Sequence, residues 1–225
     1  MKKSSLPLAE LAAERLVEYI VDNQFEPGTR LPNEYDLAAT LEVGRSTVRE
    51  AVRRLAARNI LEVRQGSGTY VSGKKGVADD PLGFSFIKDT YKLTQDLFEI
   101  RMLLEPRVAA KAAQFATDED CRELERLVAA IEFSYDNGTD DHVQLDVQLH
   151  SQLAKMSGNL ALDSLLPVIH QSISLINRDF KGKDLREDSR VAHRKILEAV
   201  VARDSTQAYD AMLRHILSVS TGFEK

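Results

Sequence analysis

Four side chains in the second half of this sequence have the types and spacing to hold a metal ion: Asp146, His150, His193 and His215. Asp146 and His150 stand one helical turn apart, so on a helix their side chains leave one face as a two-ligand clamp. His193 and His215 fall on two later helical segments, and a bundle can converge residues from separate helices in its core. Imidazoles with one carboxylate suit Zn, Ni, Mn or Fe better than Ca or Mg. His142 and His170 complete the histidines of the chain and lie in the same half. Spacing alone leaves a second alternative open, in which each is a surface or hydrogen-bonded histidine.

A second constellation lies near the start. Arg45, Ser46, Arg49 and Arg53 share a narrow stripe at about 100° per residue. Val48, Ala51, Val52 and Leu55, spaced i, i+3, i+4, i+7, define a different and apolar side. The planar fork of an arginine can bond both acceptors of a guanine. Ser46 and Thr47, at the helix start, can bond phosphate through hydroxyl and backbone N–H. Arg53, two turns in, could reach phosphate or base, and Gly66 would let backbone approach a groove edge closely. A solvated basic helix would carry the same arginines. What favours nucleic acid is the context of capped helix, tight turn and following hairpin.

These side chains need elements to position them. The spacing predicts a first helix over residues 7–23, opened by Pro7, and turn chemistry at Phe25-Glu26-Pro27-Gly28. Asn33 caps a second helix with Asp36 three positions on, an acidic variant of the capping box, and Leu37, Ala38 and Leu41 form its buried side. Val43-Gly44 makes the turn, with Gly44 taking backbone angles that a branched residue would resist. The arginine helix starts near Arg45, and residues 60–64 and 69–71 alternate as strands around Gln65-Gly66-Ser67-Gly68. This order is a winged helix-turn-helix, whose second helix enters the DNA major groove.

Residues 74–90 read as a linker, docked in part through Phe84, Phe86 and Ile87. Helical segments follow at about 93–115, 118–135, 140–156, 160–180, 186–201 and 206–220, many separated by turns such as Asn137-Gly138, Ser157-Gly158-Asn159 and Lys181-Gly182-Lys183. The fold expected is mainly α: residues 1–73 a winged helix-turn-helix with a small β-hairpin wing, residues 91–225 an all-α helical bundle.

Composition supplies bounds. The 225 residues suffice for two ordinary domains, and the net charge of −5 advertises no polyanion partner. Residues 1–75, however, carry 12 Lys+Arg against 10 Asp+Glu, while the remainder carries 18 against 25. A basic beginning on an acidic body places any nucleic-acid contact at one end. A single cysteine, Cys121, fits a reducing compartment and, with the methionines, reads as packing. No apolar run approaches the roughly 20 residues of a membrane span, and the opening MKKSSLPLAE lacks the apolar stretch of a signal peptide. A soluble cytoplasmic protein is expected.

Leu31-Pro32-Asn33-Glu34, Gly44-Arg45-Ser46-Thr47-Val48-Arg49-Glu50-Ala51 and Gln65-Gly66-Ser67-Gly68-Thr69 resemble the GntR family of bacterial transcription regulators. The resemblance implies that Arg45, Arg49 and the wing glycine contact the operator. Tyr35 departs from it, standing where many relatives carry an arginine used on a base. Glu99-Ile100-Arg101-Met102-Leu103-Leu104-Glu105, Asp146-Val147-Gln148-Leu149-His150, Ser157-Gly158-Asn159, His193-Arg194-Lys195-Ile196 and Met212-Leu213-Arg214-His215-Ile216 are similar to the FCD ligand-binding domain of the FadR subfamily.

That likeness implies a divalent ion on Asp146, His150, His193 and His215 that helps hold a carboxylate effector, with His142 and His170 outside the ligand set. Leu149 replaces the usual aromatic before the first histidine, a packing change that spares coordination. Four protein ligands on an ion preferring about six leave positions for carboxylate and hydroxyl oxygens or water. Arg101 is a candidate second clamp on the acid, or else an internal partner of Glu99 or Glu105; Arg178 is a poorer candidate. The expected activity is regulatory and not enzymatic: a homodimer on a palindromic double-stranded operator, answering a small sugar acid or organic acid. The alternatives are a regulator for which the ion itself is the signal, and a metalloenzyme with a DNA-binding appendage.

Overall fold

Apolar residues recurring every third or fourth position from Leu8 build the first helix, α1 (Leu8–Asp22), which buries Ala12, Ala13, Leu16 and Ile20. The computed structural model describes residues 7–74, 76–78, 80–176 and 185–222. The chain divides into two units between Pro81 and Leu82.

In the first unit α1 is followed by α2 (Glu34–Thr40) and α3 (Arg45–Ala57), then the strands β1 (Leu61–Arg64) and β2 (Gly68–Val71). The Asn33 side chain accepts from the backbone N–H groups of Tyr35 and Asp36 and donates to the Asp36 carboxylate at 2.7 Å, which fixes the start of α2. Gly44 has ordinary extended angles, φ −67°, ψ 150°. The left-handed residue of this turn is Glu42, at φ 54°. The reversal needs one positive φ directly after α2, and Gly44 serves instead as the extended cap of α3. The strands pair antiparallel, Leu61 against Val71 and Arg64 against Gly68. Residues 28–31 lie along β2, with Leu31 N–H donating to the Thr69 carbonyl and Val71 N–H to the Thr29 carbonyl. Leu16, Leu37, Val48, Leu55 and Leu61 meet in the core of this unit.

The second unit opens on a single 3-10 turn, Phe84–Phe86. Phe84 packs against the core, but Phe86 is 89 % and Ile87 42 % exposed, so the docking expected of all three rests on Phe84. One short turn cannot aim consecutive side chains at the same surface. Six helices follow among the described residues: α4 (Thr90–Phe115), α5 (Asp118–Asn137), α6 (Asp141–Met156), α7 (Leu160–Ile176), α8 (Arg186–Val201) and α9 (Ser205–Thr221). The first starts earlier than the apolar spacing predicts because the Asp89 side chain accepts from Lys92 N–H. A capping box formed by Thr117 and Asp120 starts α5, and Gly138, left-handed at φ 65°, ends it. The predicted continuation of α7 to residue 180 and the turn at Lys181-Gly182-Lys183 lie outside the described residues.

The core joins Phe98, Val108, Leu124, Ile131, Leu153, Leu166, Ile196 and Met212. Three histidines lie within its apolar stripes: His150 beside Leu149 and Leu153, His193 a turn from Ile196, and His215 between Met212 and Ile216. Among the described residues no helix is long and apolar enough to cross a membrane.

Candidate metal centre and nucleic-acid interface

In the first unit Val48, Ala51, Val52 and Leu55 are at most 5 % exposed, while Arg45, Ser46, Arg49 and Arg53 face solvent and Thr47 is half-buried. The apolar side of α3 is therefore committed to the core and its guanidinium side is free to meet a ligand. Arg49 donates three hydrogen bonds to Glu34, from Nε at 3.1 and 3.2 Å and from Nη2 at 2.7 Å. Those bonds hold the Glu34 carboxyl below its usual range, with Arg45 and Arg53 adding to the effect from nearby. Glu34 enters the sequence reading only in the family likeness and not as a candidate site residue, since its partner sits on the next helix.

At the wing tip Gly66 takes φ 72° with open space where a side chain would stand. Gly68, at φ 135°, lies against Arg30, whose Nε is 2.9 Å from where a Cβ would be. A groove of about 970 Å³ separates the start of α2 from the wing, lined by Arg30, Asn33, Glu34, Arg64, Gly66 and Gly68 among others. Tyr35 is 71 % exposed on α2.

In the second unit α6, α8 and α9 bring Asp146, His150, His193 and His215 together, with one ligand atom from each lying within 4.8 Å of the others. His193 Nε2 is 3.1 Å from Asp146 Oδ1, and His150 Nε2 is 3.8 Å from Asp146 Oδ2. The ring centres of His193 and His215 are 4.7 Å apart, and those of His150 and His215 5.4 Å. His150 and His193 are 1 % exposed and His215 2 %; among the described residues none of their ring nitrogens makes a well-aligned hydrogen bond, and the short approaches are to carboxylates, His150 Nδ1 to Glu105 and His193 Nε2 to Asp146. An unpaired buried polar atom costs about 1–3 kcal/mol, and one nitrogen from each ring, gathered with a carboxylate oxygen within 4.8 Å, fits a cation better than it fits an apolar core. Deep burial, with the neighbouring His193 and His150, pushes the His215 imidazole well below its usual pKa and so keeps it a neutral donor. Burial opposes the charge of Asp146, but the surrounding imidazoles hold its carboxyl well below the ordinary range.

A second buried group adjoins this one. Glu105 on α4, 1 % exposed, places Oε2 at 2.5 Å from His150 Nδ1 and Oε1 at 3.0 Å from His170 Nε2. Arg101, one turn before it and 4 % exposed, donates from Nε to Glu105 Oε1 at 2.6 Å. Of the roles open to Arg101, the ion pair with Glu105 is formed. Burial works against the Glu105 charge, but Arg101 and the two histidines hold its carboxyl well below the usual range. Burial and the Arg101 charge take His170 down to about 4. His170, expected to be polar or structural, is thus a buried neighbour of the tetrad. Its place one turn after Leu166 and one before Ile173, both buried, is the signal in the sequence for that.

His142 stands apart, its Nδ1 2.9 Å from the Thr139 carbonyl and its ring 5.1 Å from Tyr135. Cys121 accepts a hydrogen bond from Arg203 at 3.1 Å and is partly buried. Arg178 lies outside the described residues.

Residues 8–71 match the bacterial regulatory proteins of the gntR family, and residues 96–218 match the FCD domain. The chain is 28 % identical to the Glc operon transcriptional activator of Escherichia coli K12, over 97 % of this chain and 90 % of that one. It is 31 % identical to the HTH-type transcriptional regulator LutR of Bacillus subtilis, over 89 % and 94 %. A solved structure, Streptococcus agalactiae GntR, is similar at 55 % identity and a TM-score of 0.82, covering 95 % of this chain and 99 % of its own.

Proposed function

The chain belongs to the GntR family of bacterial transcription regulators, with an FCD domain as its second unit, and from that premise we propose a metal-dependent, acid-responsive repressor or activator. It binds a palindromic operator as a homodimer and changes its affinity when a small carboxylate, a sugar acid or organic acid, occupies the FCD domain. The observation that carries this reading is the convergence of three buried imidazoles, one nitrogen from each, on the Asp146 carboxylate.

Asp146, His150, His193 and His215 would hold a divalent ion, Zn, Ni, Mn or Fe by donor type. When bound, such an ion supplies Lewis acidity at the coordination positions the protein leaves open. One carboxylate among neutral imidazoles leaves a divalent centre with net positive charge, which suits an acid anion over a neutral molecule. Arg101, tethered to Glu105 beside the tetrad, would offer the acid its remaining N–H donors, its charge already balanced by that carboxylate.

On the DNA side Arg45 and Arg49 would read base edges, Ser46, Thr47 and Arg53 would meet phosphate, and Gly66 would bring the wing backbone to the groove. Two such heads about one turn of duplex apart give affinity and palindromic specificity together. The acid needs only unequal affinity for the DNA-competent and incompetent states to act. Native mass measurement with elemental analysis tests the proposal: a dimer carrying one transition-metal ion per chain is expected. Metal-free protein after growth with added Zn, Ni, Mn and Fe would overturn it. Operator affinity that follows free metal, without any acid, would favour the ion as the signal.

A further inference from the structure

We infer that Glu105 sets how His150 meets its ion, by accepting a hydrogen bond from Nδ1–H so that Nε2 becomes the ligating nitrogen of a mononuclear centre. The inference rests on the metal reading above and concerns a residue outside the ligand set. A buried ring nitrogen and a carboxyl oxygen at 2.5 Å need a proton between them, since two lone pairs at that distance repel. The Arg101 guanidinium on Glu105 favours the ionised carboxylate, which leaves the proton on the nitrogen. An imidazole protonated on Nδ1 offers its free lone pair at Nε2, and Nε2 is the atom that faces Asp146. A carboxylate behind a ligating histidine also raises the basicity of the ring and stops it from turning.

Glu105 itself is held on both sides. Arg101 Nε at 2.6 Å and His170 Nε2 at 3.0 Å share Oε1, while Oε2 is left to His150 and, at 3.4 Å, to Arg101 Nη2. Helix α4 thus supports α6 and α7 through one carboxylate. The same contacts decide against a second ion among Glu105, His150 and His170, three residues that could otherwise supply ligands. Arg101 is permanently charged and bonds both Glu105 oxygens, so a second ion there would sit beside a fixed positive charge. The Arg101–Glu105 pair is internally neutral, so it orients His150 without cancelling the charge of the ion.

The test uses the full chain loaded with zinc alone. Long-range proton–nitrogen NMR correlations on histidine-labelled protein should show His150 protonated at Nδ1 and zinc-bound at Nε2, with one zinc per chain. Two double variants then separate acceptor from charge. Arg101→Met with Glu105→Gln keeps an acceptor for Nδ1 and should leave zinc affinity, measured by chelator competition, within about threefold. Arg101→Met with Glu105→Leu removes the acceptor and should lose on the order of 10–100-fold. Zinc on His150 Nδ1, two zinc ions per chain, or equal affinity in the two variants would overturn the inference. The NMR reading needs no variant and stands if either fails to fold. A wild-type chain that takes up no zinc at all would instead remove the metal centre on which the inference rests.

Discussion

Arg49 is already oriented before it meets a duplex, because Glu34 engages its guanidinium through both Nε and Nη2. Exposed ion pairs of this kind add little to stability, so the pairing matters for direction, aiming the fork from the start of α3. Replacing Arg49 with alanine should lower discrimination between operator and random duplex on the order of 10–100-fold if the fork reads a base. Equal weakening on both duplexes, measured by fluorescence anisotropy, would assign Arg49 to phosphate.

The buried titratable groups make a separate prediction for the metal-free protein. His170 protonates near 6.5 in the unfolded chain but only at about 4 when folded, so between those values the unfolded state binds more protons. Stability contributed there is full above about pH 6.5 and falls as pH drops towards 4, by roughly 3 kcal/mol for this residue. His215 is shifted in the same direction, and Glu105 and Asp146, held low in the fold, extend the loss to lower pH. Urea unfolding from pH 7.5 to 4 should show a steady fall. A flat profile would mean that these groups are not buried as described.

At the scale of elements, what was legible in the sequence is what one helix encodes by itself. The apolar and basic sides of α3 follow from a 3.6-residue period, and the Asp146–His150 clamp needs only the i, i+4 relation on α6. Glu105 was not legible in the same way. Its contact with His170 spans 65 positions and depends on the packing of α4 against α7. The turn before α3 shows another limit. Glycine is the usual left-handed residue, but here Glu42 takes that conformation and Gly44 does not. The dependence of the site on its helix can be measured. Leu153→Ala, fully buried on α6, should destabilise the FCD unit by about 2–5 kcal/mol and weaken zinc binding in parallel. Val143→Ala, on the same helix and 50 % exposed, should do neither.

Across the whole molecule two units divide the labour, a basic reader of DNA and an acidic helical domain with a buried polar centre. If the acid changes affinity for DNA as proposed, DNA must change affinity for the acid by the same factor, because coupling is reciprocal. The most direct measurement is therefore DNA affinity under control of the second unit. Zinc-loaded protein would be titrated onto a duplex selected for tight binding from a random pool, in the presence of a panel of small carboxylates. At least one acid should shift the Kd by roughly 5–150-fold, and the shift should vanish in His193→Ala. A single Kd across the whole panel would contradict a regulator governed through its metal centre.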